Sequence, residues 1–283
     1  MIDCPPERFH WLVPCDPAGT IRVDSLINQN LPFLSRRARE ELFSKQAVLI
    51  NGRPVAKGFK ASPGDLLEIE VPGPLSPYPV PDQAPRPSVI FEDQTLVIVD
   101  KPGLMPTHPL SPFETGTLAN ILVSHWPQIV GVGNKALEPG LVHRLDKGTS
   151  GLLVVALKQA AWEQLKKDLG TRKWEKTYQA LIEGVFPEPM TISLPLAHDP
   201  SDDRKMNGIR GPGHKRRGRI YQALTQVRPI KRFKEFTLVE IRLITGITHQ
   251  IRVHLSSHGY PLAGDTLYGS KRSQALGLPL NRF

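Results

Sequence analysis

The stretch on which the fold depends is His143–Gly151, with the sequence HRLDKGTSG. It lies between two apolar runs, Gly140–Val142 and Leu152–Leu157, whose composition predicts buried strands. A charged interruption between buried strands is costly, because a carboxylate in a core must be neutralised or find a cation. Asp146 is therefore expected at the edge of a cleft or beside a buried arginine or lysine. An ordinary ion pair between Arg144 and Asp146 at a turn would explain the same residues.

Length and composition describe a globular protein with a basic surface. The 283 residues suffice for one large domain plus a small one, or for two medium ones, and 40% hydrophobic and 22% charged residues are typical of a globular protein. The N-terminus has no basic-then-apolar leader and no apolar run is long enough to span a bilayer, so we expect a cytoplasmic protein. Cys4 and Cys15 are too few for a disulfide framework or a four-cysteine zinc site. A net charge of +9 makes polyanions plausible partners.

The first part of the chain contains a small basic helix. Ser35 is a suitable N-cap, and the apolar residues that follow share one face at helical spacing; these are Leu34, Ala38 and Leu42. Three arginines in the first turn, Arg36, Arg37 and Arg39, oppose the helix dipole. Free N–H groups beside guanidinium groups favour a phosphate, so the sequence predicts an anion-binding site here.

Strand and turn signals follow this helix. Asn51-Gly52 predicts a tight hairpin, and Pro63-Gly64-Asp65 a second turn before the alternating strand Leu66–Val71. Together with the helix, this unit resembles the RNA-binding domain named after ribosomal protein S-four. The resemblance implies that residues 1–71 form a small RNA-binding domain with its core at about 20–71.

Residues 72–88 contain seven prolines. Such a run favours extended polyproline II geometry at about 3.1 Å per residue, giving a semi-rigid spacer of up to roughly 50 Å. We therefore expect a linker at 72–88 and a catalytic domain at 89–283. Its predicted strands are Leu96–Val99, Trp174–Val185, Thr191–Leu196, Ile220–Val227 and Phe236–Ile244, and its predicted helices are Thr115–His125 and Ala160–Leu169.

Two further segments carry polar residues. The loop His198–Arg219 is rich in glycine and ends in a basic run containing Lys215, Arg216 and Arg217, so it is expected to be mobile until it meets phosphates. In Leu243–Gly259, Thr248 is the expected N-cap of a helix, with Ile251 and Leu255 toward the core. His249 and Arg252, three residues apart, share another face of that helix.

The string HRLDKGTSGLLVVAL resembles the central motif of the RluA-type family of RNA pseudouridine synthases. The resemblance makes Asp146 the catalytic residue, Tyr178 the active-site tyrosine and Arg252 the partner of the aspartate. Lys101-Pro102-Gly103 resembles the family's Lys-Pro-x-Gly motif, and GDTLYG, Gly264–Gly269, a later turn. It implies an α+β fold with a mixed, mainly antiparallel central sheet, a catalytic cleft and flanking helices. It implies RNA contacts at His143, Arg144, Lys101 and His249.

The implied reaction converts uridine to pseudouridine in structured RNA without a cofactor or metal. The expected target is large-subunit ribosomal RNA, with transfer RNA open, and the expected state is a monomer. Two other classes compete: a non-catalytic RNA-binding protein, and a hydrolase pairing Asp146 with His143 or His249. The sequence lacks the G-x-S-x-G elbow of many hydrolases. A role in RNA binding alone leaves Asp146, Tyr178 and Arg252 unexplained.

Overall fold

The computed structural model describes residues 7–15, 19–32, 34, 36–71, 77–171, 173–211 and 213–270. These residues form two compact units. One contains residues up to Lys101 together with Met105–Leu145 and Gly151–Glu163. The other contains Pro102–Leu104, Asp146–Ser150 and the chain from Gln164 onward.

The first unit begins with six strands and two helices. The strands are β1 Glu7–Leu12, β2 Ile21–Arg22, β3 Val48–Ile50, β4 Arg53–Pro54, β5 Lys60–Ala61 and β6 Leu66–Val71, and the helices are α1 Val23–Asn30 and α2 Arg36–Ser44. One sheet has the order β1-β6-β3-β4, and β2 pairs with β5. Asn51 and Gly52 both have positive φ, at 50° and 75°, as the predicted hairpin between β3 and β4 requires.

The apolar face predicted for α2 is confirmed. Leu34, Ala38 and Leu42 are all buried in the core that this helix shares with β3 and β6. Burying each leucine contributes about 1.5–3 kcal/mol, which fixes the orientation of the helix. The predicted cap, Ser35, lies outside the described residues.

The rest of this unit is a three-stranded sheet and a helix. The elements are β7 Ser88–Glu92, β8 Leu96–Lys101, α3 Leu118–His125 and β9 Gly151–Ala156, and the sheet order is β7-β8-β9. The strand predicted at Gly140–Val142 is wrong, since only a single bridge joins Leu141 to Val155. Gly140 has a φ of +68° and lies so close to the carbonyl oxygen of Ala156 that a Cβ would come within 2.5 Å of it. This close approach bends the chain out of strand geometry.

The proline-rich segment is attached to α3 over its described part. The backbone N–H of Asp82 donates to the carbonyl of Asn120 at 3.0 Å, and the Asn120 amide donates to the carbonyl of Val80 at 2.8 Å. The guanidinium of Arg86 lies 4.7 Å from the ring centroid of Trp126. Residues 80–86 are therefore packed against a helix rather than forming a free spacer. The division into 1–71, 72–88 and 89–283 stays a prediction.

A buried threonine fastens the loop before β9. The Thr107 hydroxyl donates to the carbonyl of Leu145 at 2.7 Å and accepts from its N–H at 3.3 Å. Thr107 is 4% exposed and Leu145 is 6% exposed. Both polar groups of the Leu145 backbone are thus satisfied by one side chain, which holds the residue directly before Asp146 in one conformation.

The second unit is mainly antiparallel sheet. Helix α4, Gln159–Gly170, leads into strands β10 Lys176–Glu183, β11 Met190–Ser193, β12 Leu196–His198, β13 Met206–Gly208, β14 Arg217–Tyr221, β15 Leu224–Arg232 and β16 Phe236–Leu243, and then helix α5 Gln250–Ser257. The sheet orders are β10-β16-β15-β11 and β13-β12-β14. Every strand pairing among the described residues is antiparallel. The predicted α+β fold is confirmed.

The basic loop His198–Arg219 contains regular structure that its sequence did not predict. Strands β13 and β14 both pair with β12, because this short strand offers hydrogen-bonding groups on each side. The strand predicted at Ile220–Val227 is divided into β14 and β15. Arg217 forms an ion pair with Asp203, whereas Lys215 and Arg216 are exposed.

No helix in the described part of the chain is long and apolar enough to cross a membrane.

Candidate active site

Asp146 begins a short turn in the second unit, where its carbonyl accepts from the N–H of Thr149 at 3.0 Å. Its side chain is 23% exposed, so it is shielded but can be reached from outside. Carboxylate Oδ2 lies 3.8 Å from Nη1 of Arg252 and 3.8 Å from Nε2 of His249. Both distances exceed a normal hydrogen bond. The side chains of His249 and Arg252 thus face the carboxylate without forming a hydrogen bond to it.

The start of α5 determines where those two side chains lie. The N-cap residue is His249 and not the predicted Thr248. His249 has a left-handed backbone with φ of 55°, and its side chain makes no capping hydrogen bond. The Gln250 side chain instead accepts from the N–H of Ile247 at 3.0 Å and from the Thr245 hydroxyl at 2.9 Å. The helix therefore begins one residue late, with the imidazole of His249 turned toward Asp146. The inward placement of Leu255 is confirmed, and Ile251 packs against the same core.

Arg252 has a closer partner than Asp146. Its Nε and Nη2 donate to the two carboxylate oxygens of Asp265 at 2.7 and 2.9 Å. The predicted pair of Arg252 and Asp146 is present as an ion pair, with Nη1 3.8 Å from Oδ2 of Asp146, while the hydrogen bonds of the guanidinium go to Asp265. Burial alone would lower the pKa of Arg252, but Asp265, and then Asp146, raise it above its ordinary value. The guanidinium is a fixed positive charge.

Tyr178 lies on β10, with Lys176 and Ala180 on the same face. All three are half-buried, while the residues between them are exposed, so the predicted alternation is confirmed. Burial, and then the nearby charge of Asp146, raises the pKa of the Tyr178 phenol above its ordinary value. Tyr178 therefore lies near enough to Asp146 to be affected by its charge, and the phenol is protonated at neutral pH.

A second tyrosine, Tyr268, completes the site. Its ring centroid lies 4.8 Å from Cζ of Arg252, and burial raises its pKa to about 12. The Tyr268 hydroxyl accepts from the N–H of Met206 and lies 2.8 Å from Nδ1 of His249. Because a hydroxyl can donate one hydrogen bond and accept two, either neutral tautomer of His249 satisfies this contact. Nε2 is the ring nitrogen that faces Asp146.

Sequence reasoning missed Asp265 and Tyr268 as site residues. Both belong to GDTLYG, Gly264–Gly269, which was interpreted as a turn. Asp265 does cap the short 3-10 helix Thr266–Tyr268, accepting from the N–H of Tyr268. An aspartate followed three residues later by a tyrosine is an ordinary turn pattern, so the local sequence carries no signal that Asp265 is a buried partner of Arg252.

The predicted RNA-binding residues fall into three groups. Lys101 is fully buried and its ammonium donates to the carbonyl of Met105 at 2.8 Å, so it has a structural role, and its RNA contact stays a prediction. His143 accepts from the N–H of Val154 at 3.2 Å, which gives it a structural role whatever else it binds. Arg144 is exposed, as are Lys215, Arg216 and Arg217.

The helix arginines line a groove in the first unit. Arg36 and Arg39 lie with Asn28 and Lys57 around about 510 Å³ of space between α1 and α2. Arg39 donates to the Asn28 side chain at 2.6 Å, and Lys57 shares Glu40 with Arg36. The Arg37 side chain lies outside the described residues.

Comparison with known proteins identifies the family. A family model described as RNA pseudouridylate synthase matches residues 95–257. An RNA pseudouridine synthase of Bacillus subtilis (strain 168), YlyB, itself uncharacterised, is 35% identical over 253 residues, which are 89% of this chain and 80% of the relative. Ribosomal large subunit pseudouridine synthase D of Neisseria meningitidis serogroup A is 33% identical over 267 residues, which are 94% of this chain and 68% of the relative.

Solved structures agree. Human RNA pseudouridylate synthase domain-containing protein 1 is 26% identical, with a TM-score of 0.54 over 66% of this chain and 71% of the human chain. Human RNA pseudouridylate synthase domain-containing protein 4 is 29% identical, with a TM-score of 0.52 over 68% of this chain and 76% of that one. The chain therefore belongs to the RNA pseudouridylate synthase family, and it is an RNA pseudouridine synthase, an isomerase.

Proposed function

We propose that this enzyme isomerises uridines of large-subunit ribosomal RNA with Asp146 as the nucleophile. The observation that carries the proposal is a partly exposed carboxylate 3.8 Å from a fixed guanidinium, with a protonated phenol in the same site. A carboxylate in this position can form a covalent intermediate, because its oxygens are held near a cation without being consumed by hydrogen bonds to it.

The atoms balance without a cofactor. The bond between N1 of uracil and C1′ of ribose breaks, the base turns, and a bond forms between C5 and C1′. C5 loses its proton, and N1 gains one. Asp146 attacks either C1′ or the base and is released at the end, so it is regenerated each cycle. The target nucleotide must first leave its stack, which costs a few kcal/mol.

Tyr178 and His249 have separate roles in this proposal. Because the raised pKa keeps Tyr178 protonated at neutral pH, its hydroxyl donates a hydrogen bond to the extruded base. It can take the C5 proton only by passing its own proton to solvent water in the same step. Nε2 of His249 faces the carboxylate at 3.8 Å and, when it carries a proton, stabilises the negative charge of Asp146.

Large-subunit ribosomal RNA is the target that the comparisons favour, since the Neisseria relative carries that substrate in its name. A ribosomal substrate agrees with the cytoplasmic location expected from the sequence. We propose that the N-terminal module is an S-four-like RNA-binding domain and holds RNA phosphates in the groove at Arg36, Arg39 and Lys57. The exposed basic residues Lys215, Arg216 and Arg144 are proposed to contact the RNA backbone.

Release of tritium tests the reaction. The substrate is unmodified large-subunit ribosomal RNA transcribed with uridine tritiated at C5, and each turnover frees one tritium. We expect release by the wild type and none by Asp146→Asn. Asp168→Asn is the matched control, because this carboxylate lies on helix α4 in the same unit, where it accepts from Gln164 and pairs with Lys173. Full activity of the Asp146 variant would refute the role of Asp146 as nucleophile. RNA that is shortened on a gel would indicate a hydrolase.

Mapping pseudouridine across total cellular RNA, with and without the chain, tests the substrate. Sites lost from large-subunit ribosomal RNA support the proposal, whereas losses confined to transfer RNA replace the substrate class.

Salt dependence tests the groove. Arg36→Ala combined with Lys57→Ala should weaken RNA binding and reduce the slope of log affinity against log salt by about two, since two phosphate contacts are lost. Arg53→Ala, an exposed arginine of the same module outside the groove, should change the slope less. Equal effects from both would place the phosphates elsewhere.

A further inference from the structure

The guanidinium of Arg252 lies between two carboxylates and treats them unequally. One edge, Nε and Nη2, makes the two-pronged contact with Asp265 at 2.7 and 2.9 Å that planar guanidinium groups form best with carboxylates. The remaining nitrogen, Nη1, is the one that faces Asp146, at 3.8 Å. Arg252 is thus hydrogen-bonded to Asp265 and only within ion-pair distance of Asp146.

Asp265 is itself held tightly. Its side chain is 1% exposed, and Oδ1 also accepts from the N–H of Tyr268. Its backbone N–H donates to Leu262 at 3.0 Å, and its carbonyl accepts from Ser270 at 3.0 Å. The Tyr268 ring covers the guanidinium. This carboxylate cannot move away from Arg252 without breaking buried hydrogen bonds.

We infer that Asp265 is a positioning residue, whose task is to prevent Arg252 from closing on Asp146. The inference rests on the proposed role of Asp146 as nucleophile. A carboxylate gripped by a guanidinium fork has its oxygen lone pairs occupied and is a weak nucleophile. A carboxylate 3.8 Å away keeps its lone pairs and still feels the positive charge. By holding Arg252 at this distance, Asp265 lets the positive charge stabilise the Asp146 carboxylate while its oxygens stay free to act as a nucleophile.

Several groups besides Arg252 act on Asp146. His249 lies 3.8 Å from Oδ2, and the phenols of Tyr178 and Tyr268 are electrostatically coupled to it. The two phenols are neutral when protonated, so they cannot replace the charge balance that Asp265 supplies. Its removal leaves the full positive charge of Arg252 facing Asp146.

The test is a double-mutant cycle on tritium release from C5-tritiated large-subunit ribosomal RNA transcript. Asp265→Asn keeps the shape and removes the charge. We expect kcat to fall about tenfold to a hundredfold, the size of effect that a small misplacement produces, with KM changed less than about twofold. The acid limb of the kcat–pH profile should move to lower pH, because Arg252 then closes on Asp146. Asp168→Asn, again the control, should leave both unchanged.

The second arm uses Arg252→Gln alone and combined with Asp265→Asn. If Asp265 acts through Arg252, adding Asp265→Asn to Arg252→Gln changes kcat no further. Multiplied losses, or an unshifted pH profile in a folded Asp265→Asn variant, would overturn the inference. If the single Asp265 variant does not fold, the comparison of Arg252→Gln with the double variant decides, since removing both partners of a buried pair leaves no lone charge. A wild type that releases no tritium refutes the proposed function instead.

Discussion

Replacing Thr107 with valine should destabilise the protein without changing the volume of its core. Valine has the shape of threonine but no hydroxyl, so it removes both hydrogen bonds to the backbone of Leu145 at 2.7 and 3.3 Å. Because Thr107 and Leu145 are both buried, water cannot substitute for the lost hydroxyl.

The magnitude follows from those two bonds. A buried polar group left without a partner costs about 1–3 kcal/mol, and the longer bond belongs at the lower end of that range. The sum is about 2–4 kcal/mol. With an unfolding entropy of roughly 2.1 cal/mol/K per residue, a loss of about 3 kcal/mol lowers the Tm of a chain of this length by about 5 °C, if it unfolds in one transition.

Urea unfolding followed by tryptophan fluorescence, with calorimetry for Tm, measures the effect. Trp162 is a suitable probe, since its indole N–H donates to the carbonyl of Leu141 at 3.0 Å in the same unit. Thr107→Ser is the matched control: it keeps the hydroxyl and loses one methyl, worth about 1 kcal/mol. Equal stability of the valine and serine variants would refute the reasoning, because the hydroxyl would then contribute nothing.

Three further predictions concern backbone conformation and protonation. Leu104→Gly should raise stability in urea by up to about 1 kcal/mol, because Leu104 has a φ of +69° that costs a leucine about 1–2 kcal/mol; a destabilised variant would contradict this. Gly140→Ala should cost more than about 3 kcal/mol and Gly116→Ala about 1–2 kcal/mol, since both have positive φ but only Gly140 meets a carbonyl oxygen, that of Ala156, at 2.5 Å; similar losses would exclude the clash. Burial lowers the pKa of His254, so the unfolded chain binds a proton before the folded one does as pH falls below about 6.5. Stability should then decrease by up to about 1.4 kcal/mol per pH unit, a slope that His254→Gln should reduce and whose persistence would assign it to other groups.

Much of the framework could be predicted from the sequence, because strands and helices follow local patterns. The face of α2 and the alternation of β10 were predicted correctly from spacing alone. Lys101 shows how a charge can mislead. Val97, Val99 and Lys101 are all buried on one face of β8, so the two-residue period pointed inward, whereas the ammonium group suggested a surface position. The hydrogen bond from the Lys101 ammonium to the carbonyl of Met105 allows the side chain to be buried, as the two-residue period of the strand requires.

The site itself was predictable only in part. The pairing of Arg252 with Asp265 depends on two segments meeting in space, and nothing in the spacing of either segment announces it. The resemblance supplied Asp146, Tyr178 and Arg252 but not the competition between two carboxylates. The pairings of β12 with β13 and β14 could not be predicted for the same reason. A three-residue strand carries too little pattern to be recognised in the sequence, and its partners stabilise it only after folding.

The left-handed backbone of His249 restricts what can occupy that position. Asparagine, aspartate and glycine tolerate such a φ, but none of them offers an imidazole to Tyr268 and Asp146. Valine and isoleucine are excluded by the backbone before chemistry is considered. A saturation library at this codon should accordingly separate into two classes, folded but impaired variants and poorly folded ones, with histidine alone satisfying both demands.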